Sequence, residues 1–176
     1  MTVDVDRIRS LVRDVQDFPR PGVGFKDLTP LLADGPAYAA VVDWMADQAA
    51  PLAPTKVVGV EARGFLFSGP LAVRLGAGVV PVRKSGKLPW RVEAESYALE
   101  YGEGSLEVHQ DAVEQGDTVV VVDDVLATGG TARATAVLLE RLGAKVGTLL
   151  FVVELDALAG RSRLGGWDAR SLVRFP

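Results

Sequence analysis

Asp123 and Asp124 follow the apolar run Thr118-Val-Val-Val-Val122 directly, and Thr128-Gly129-Gly130-Thr131 comes after Val125, Leu126 and Ala127. A continuous apolar strand is typical of the centre of a parallel sheet. Open α/β sheets bind ligands at the carboxyl ends of their strands. The Thr-Gly-Gly-Thr stretch opens a helix, and helix N-termini leave backbone N–H groups unpaired and carry a partial positive charge, so they hold phosphate. Glycines let the backbone come close to the anion, and threonine hydroxyls add donors. Like charge keeps the two carboxylates off the phosphate, but they suit hydroxyl groups, which donate to carboxylate oxygens. Hydroxyls beside a phosphate describe a ribose phosphate. The turn lacks both the Gly-Lys-Ser/Thr ending of a Walker loop and the Gly-x-Gly-x-x-Gly of a dinucleotide site. The plainer alternative is a tight strand–turn–helix with carboxylates solvated at its rim.

Other residues could join that chemistry. Arg63, in Glu61-Ala62-Arg63-Gly64, supplies a permanent charge suited to phosphate oxygens, or simply sits on a solvated turn. Arg83, Lys84, Lys87 and Arg91 lie in a polar stretch, Arg83 to Glu95, without hydrophobic period, which is expected to be an exposed, mobile loop. His109 stands alone and is expected to be a structural strand residue. No His, Asp and Glu group has metal-ligand spacing, so no dedicated metal cage is expected.

The elements that must position these groups are legible in outline. Ile8, Leu11, Val12 and Val15 have helical spacing. Phe18 to Gly22 breaks that helix, and Pro21 to Leu32 is expected to be a long loop. A helix begins near Pro36 and ends before Pro51. Strands are expected at Lys56–Val60, Gly78–Val82, Ser96–Tyr101, Ser105–His109, Thr118–Val122, Val146–Val153 and Ser171–Val173. Helices are expected at Phe65–Leu75 and from Thr128 to Leu142. The alternation from Lys56 to Val153 argues for an α/β fold with a parallel twisted sheet flanked by helices.

Composition bounds the function. With 176 residues, the chain is expected to form a single domain, 1–176. A net charge of −4 argues against a nucleic-acid surface. The absence of cysteine removes disulfides, Cys-ligated metals and thiol nucleophiles. A charged N-terminus without an apolar h-region and no apolar run near about 18 residues argue against a signal peptide and a membrane span, so a cytoplasmic location is expected.

Val119 to Thr131 resembles the phosphoribosyl pyrophosphate (PRPP) signature of the type I phosphoribosyltransferases. "FPRPGVGFKD" from Phe18, "EARGF" from Glu61, "RKSGKLP" from Arg83 and "SYALEYG" from Ser96 narrow the resemblance to the adenine phosphoribosyltransferases. The resemblance implies that family's fold, with a small hood of N- and C-terminal segments over the base site, and transfer of phosphoribose from PRPP to adenine. By it, Asp123 and Asp124 hold the ribose hydroxyls, and Ala127, Thr128, Gly129, Gly130 and Thr131 wrap the 5′-phosphate. Glu61, Ala62 and Arg63 bind pyrophosphate around a cis peptide between Glu61 and Ala62. Arg83, Lys84 and Lys87 are the cations of a catalytic lid, which excludes water and brings positive charge to the leaving group. Glu100 is the catalytic carboxylate beside the purine, although its spacing alone marks it as an ordinary strand residue. Tyr101 supports the lid or the site. Phe25 and Leu155 flank the purine, two positions that core packing would otherwise explain, and the backbone of Gly24 and Lys26 reads its amino group. Gly24 and Lys26 depart from a larger apolar residue and an arginine, and Trp90 from a small residue in the lid. Mg²⁺ is expected to arrive with PRPP, and the chain to form a homodimer with no nucleic-acid or membrane partner. A non-catalytic PRPP-sensing regulator and an enzyme for a 6-oxopurine are the alternatives. The first lacks room for a DNA-binding segment before Phe18, and the second usually lacks the Phe18 to Asp27 opening.

Overall fold

The computed structural model describes residues 3–98 and 103–176. Their backbone divides into two compact units, 1–44 and 45–176.

In the first unit, helix α1 (Val5–Ser10) starts at Asp4, whose side chain accepts the Arg7 N–H at 3.0 Å. The helix is shorter than its spacing predicts. Arg13–Val15 forms strand β1 and pairs antiparallel with β2 (Phe25–Asp27), in the register Arg13↔Asp27. Part of the expected loop from Pro21 to Leu32 is therefore ordered, and helix α2 (Thr29–Ala33) follows β2. Asp34 opens helix α3 (Gly35–Ala49) by accepting the Ala37 N–H at 2.9 Å. That bond and the Arg7 guanidinium hold the Asp34 carboxyl below its ordinary pKa.

The second unit is built on a sheet whose seven described strands run in the order β5-β6-β4-β3-β7-β8-β9. These are β3 (Lys56–Val60), β4 (Gly78–Lys84), β5 (Val92–Ala98), β6 (Glu103–His109), β7 (Thr118–Leu126), β8 (Lys145–Leu155) and β9 (Ala169–Phe175). From β4 to β9 the pairing is parallel, as expected. The β5–β6 hairpin adds to β4 antiparallel, so the sheet is mixed. The Arg83 to Glu95 stretch is thus not one long loop: its ends are strand and only its middle is a turn. Helices α4 (Gly64–Leu75) and α5 (Gly130–Arg141) are the crossovers into β4 and β8.

The core lies in the middle of the sheet. Val119, Val120, Val121 and Val122 are fully buried, as a strand covered on both faces requires. Val58, Val121, Leu149 and Phe151 pack in one cluster with Ala132, Ala136 and Leu139 of α5. Helix α4 approaches β7 closely at its first turn, where a Cβ on Gly64 would stand 2.6 Å from the Val122 carbonyl oxygen. Among the described residues no helix is long and apolar enough to cross a membrane.

Candidate active site

The acidic pair lies inside β7, not beyond its end, because pairing with β8 continues to Leu126↔Glu154. On the other side, pairing with β3 stops at Gly59↔Val122. The strand is therefore open along one edge from Asp123 onward. Asp123, Val125, Ala127, Thr128, Gly130 and Thr131 line a cleft at this end. Gly129 stands in the left-handed region, φ 80°, which turns the chain into α5 without a side-chain cap. The first N–H groups of α5 are thereby left for a ligand.

The two carboxylates are under electrostatic load. Burial lifts Asp123 well above the usual carboxylate pKa, and the neighbouring Asp124 charge lifts it further. Burial also lifts Asp124, while Arg63 opposes that rise. Arg63 Nε lies 2.6 Å from Asp124 Oδ2, an ion-pair contact rather than an aligned hydrogen bond. This places the Glu61–Gly64 turn against the acidic pair. Residues separated by about sixty positions in sequence thus share one site through the β3–β7 pairing and the approach of Gly64 to Val122. The cis peptide between Glu61 and Ala62 is present, as the resemblance implies.

The basic residues of the β4 end are arranged by carboxylates. The Glu61 side chain accepts Arg83 Nε at 3.1 Å and the Lys84 N–H at 3.0 Å, and Lys87 Nζ lies 3.9 Å away. Burial raises the Glu61 pKa, but the Lys84 N–H and the Arg83 guanidinium outweigh it and hold the carboxyl below its ordinary value. Glu107 on β6 accepts Ser85 Oγ at 2.5 Å and the Gly86 N–H at 2.9 Å. The Arg83 guanidinium also donates to the Lys87 carbonyl oxygen at 3.2 Å. The first part of the turn between β4 and β5, Ser85 to Lys87, is thereby held in place. Neither carboxylate role was legible: Glu107 reads as one more alternating strand residue until β6 is known to pair with β4.

Among the remaining candidates, Leu155 ends β8 and is half-buried. In the first unit, Phe25 makes an edge-on contact with Phe18 at 5.1 Å, Lys26 pairs with Asp14, and Gly24 is exposed. Glu100 and Tyr101 lie outside the described residues. His109 sits on β6, and its ring meets Trp90 at 6.4 Å with Nε2 buried and unpaired. Trp90 is itself exposed, with the Arg91 guanidinium 5.9 Å over its ring. Among the described residues no group of three or more His, Asp or Glu is placed to hold a metal ion.

Comparison with known proteins agrees with this geometry. The model of the phosphoribosyl transferase domain matches residues 32–172. The adenine phosphoribosyltransferase of Symbiobacterium thermophilum is 55% identical over 167 residues, covering 95% of this chain and 98% of that protein. The crystal structure of the Thermoanaerobacter pseudethanolicus adenine phosphoribosyltransferase superposes with a TM-score of 0.94 at 47% identity, covering 97% of this chain and 99% of that one. The Saccharomyces cerevisiae enzyme, solved with an imino-altritol bisphosphate and adenine, gives a TM-score of 0.91 at 35% identity, covering 96% of this chain and 97% of that one. An acidic pair beside bare helix amides, an arginine turn at its flank and relatives matched over nearly their whole length lead to one conclusion: this chain belongs to the adenine phosphoribosyltransferases, within the phosphoribosyl transferase domain family.

Proposed function

We infer that this chain transfers the phosphoribosyl group of PRPP to adenine, giving AMP and pyrophosphate in purine salvage. The observation that carries the reading is the Arg63–Asp124 contact, which unites a pyrophosphate-type turn with carboxylates suited to ribose hydroxyls. In this reading the 5′-phosphate rests on the amides of Ala127 to Thr131, and Asp123 and Asp124 accept the ribose 2′- and 3′-hydroxyls. Glu61, Ala62 and Arg63 hold the pyrophosphate, with Arg83, Lys84 and Lys87 as further cations. The C1′–O bond to pyrophosphate breaks with oxocarbenium character, and cations at the departing oxygen lower that barrier. N9 of adenine forms the new bond to C1′, and its proton passes to Glu100. The backbone of Gly24 and Lys26, with Phe25 and Leu155, is assigned to adenine on the resemblance of their motifs.

Magnesium fits this donor set as an ion carried in by PRPP. Hard oxygen ligands on phosphate, hydroxyl and water suit it, and when bound it neutralises pyrophosphate charge. We read residues 1–176 as one phosphoribosyltransferase domain, since the family match runs from residue 32, inside the first unit, to residue 172 and one relative aligns over 95% of the chain. A cytoplasmic location accompanies the salvage role.

We further propose a homodimer. Leu66 and Val73, two helical turns apart on α4, are 45% and 84% exposed, and Val79 on β4 is 49% exposed. An apolar stripe of this kind suits a second copy of the chain. Val73→Asp is expected to shift the protein from dimer to monomer in sedimentation. A dimer that persists in V73D removes this stripe from the interface.

The Ser85–Gly86 turn makes a separate prediction. Glu107→Ala leaves a hydroxyl and an N–H without their buried acceptor, so stability should fall by about 1–3 kcal/mol in urea unfolding. The KM for PRPP should rise more than that for adenine, because the turn follows Lys84 directly and contains Lys87. Equal changes in both KM values would separate Glu107 from the pyrophosphate end.

The test of the function is a base panel: protein, PRPP and Mg²⁺ with each purine in turn. Nucleotide is expected from adenine. Nucleotide from a 6-oxopurine instead would reassign the substrate, and PRPP binding without turnover would make the chain a sensor.

A further inference from the structure

The segment after β8 backs the phosphate turn. Gly160 is buried, and a Cβ there would stand 2.1 Å from the Ala127 carbonyl oxygen and 2.9 Å from Gly129 N. From the other side, a Cβ on Gly129 would stand 2.4 Å from the Gly160 carbonyl oxygen. The two backbones touch with no side chain between them, so the path of Ala127–Gly129 depends on where Gly160 is held.

Arg161 does the holding. Its Nε donates to Glu154 Oε1 at 2.9 Å and its Nη2 to Glu154 Oε2 at 2.5 Å. The same guanidinium donates to the Ala169 carbonyl oxygen and, at 3.3 Å, to Ser171 Oγ. Glu154 is only 3% exposed near the end of β8, and Ala169 opens β9. A planar fork on a carboxylate fixes orientation as well as distance. At the far end of the short 3₁₀ turn Gly160–Leu164, Leu164 is buried in the cluster that contains Ala132 of α5. The turn is thus clamped to two strands at its start and to the core at its finish.

We propose that Arg161, acting through Glu154 and Gly160, is a positioning residue for the 5′-phosphate. It fixes the surface on which the phosphate turn rests and keeps the N–H groups of Thr128 to Thr131 aimed at the anion. This rests on the reading of that turn as the phosphate site. Neither Arg161 nor Glu154 is assigned to substrate, and the effect passes entirely through backbone.

Calorimetric titration with two separate probes, ribose 5-phosphate and inorganic pyrophosphate, tests it. The variants are Arg161→Lys, which keeps the charge but loses the fork, and the Glu154→Gln/Arg161→Gln double variant, which leaves no buried carboxylate unpaired. Ribose 5-phosphate affinity is expected to fall about tenfold or more, the scale of a displaced binding group, with pyrophosphate affinity changed less than about twofold. Should the double variant not fold, Arg161→Lys carries the comparison. Unchanged ribose 5-phosphate affinity in the folded variants, or equal weakening of both probes, overturns the proposal. A parent protein that binds pyrophosphate but not ribose 5-phosphate would instead remove the phosphate-site reading itself.

Discussion

Asp123→Asn is expected to lower kcat/KM for PRPP by about 10- to 100-fold, the worth of one hydrogen bond to a charged group. The same variant should be more heat-stable than the parent at neutral pH. The two effects have one cause. Burial and the Asp124 charge both raise the Asp123 pKa, so the folded protein resists the ionisation that ribose binding needs. A carboxyl whose folded pKa is raised binds more protons folded than unfolded between the two pKa values, and stability falls as pH rises through that window. The stability advantage of D123N should therefore be absent below the ordinary carboxyl pKa near 4 and grow as pH rises above it. Asparagine still accepts the Asp124 N–H, which lies 2.9 Å from Oδ1, so the local bond survives. Thermal melts across pH, with steady-state kinetics, check both halves. A variant less stable than the parent at neutral pH would mean that Asp123 has a partner that this account lacks.

Arg63→Gln is the second large effect. Arg63 faces Asp124, whose side chain is 6% exposed, and in the proposed reaction it also faces pyrophosphate. Losing a donor aimed at developing charge costs about 10²–10³ in kcat. Pyrophosphate affinity should fall with it, while ribose 5-phosphate affinity changes less. Stability should fall too, because Asp124 keeps a nearly buried charge without its counter-ion. Half-exposed Arg63 is already partly screened by water, so that loss belongs at the low end of the range for broken buried pairs. Arg63→Lys restores charge without the fork and should recover stability more fully than rate. Product-inhibition kinetics with pyrophosphate separates the roles. Unchanged pyrophosphate inhibition in R63Q would confine Arg63 to pairing with Asp124.

The parts legible in the sequence were those decided locally. Strand β3 is a short apolar run between Pro54 and the Glu61–Gly64 turn, and its limits, Lys56 and Val60, match the expectation. The turn from β7 into α5 was legible because Gly129 and Gly130 mark a helix start. Strand β7 runs four residues past the expected Val122, since two carboxylates look like an end while β8 continues to pair with them. Val15 has helical spacing with Ile8, Leu11 and Val12, but Arg13 to Val15 becomes strand because β2 offers it a partner. The polar stretch from Arg83 concealed the end of β4 and the start of β5, which carry no apolar period of their own, whereas β6, with Leu106 and Val108 buried two residues apart, reads as an alternating strand. The pairings Arg63–Asp124, Ser85–Glu107 and Glu154–Arg161 depend on topology and strand register, which no spacing in the chain announces.

The most direct measurement is a titration of ¹⁵N-labelled protein with ribose 5-phosphate, followed by backbone amide shifts. The account predicts saturable downfield shifts of the Thr128, Gly129, Gly130 and Thr131 amides, with smaller changes at Glu61 to Gly64. Saturable shifts centred elsewhere, with those four amides unmoved, would contradict it.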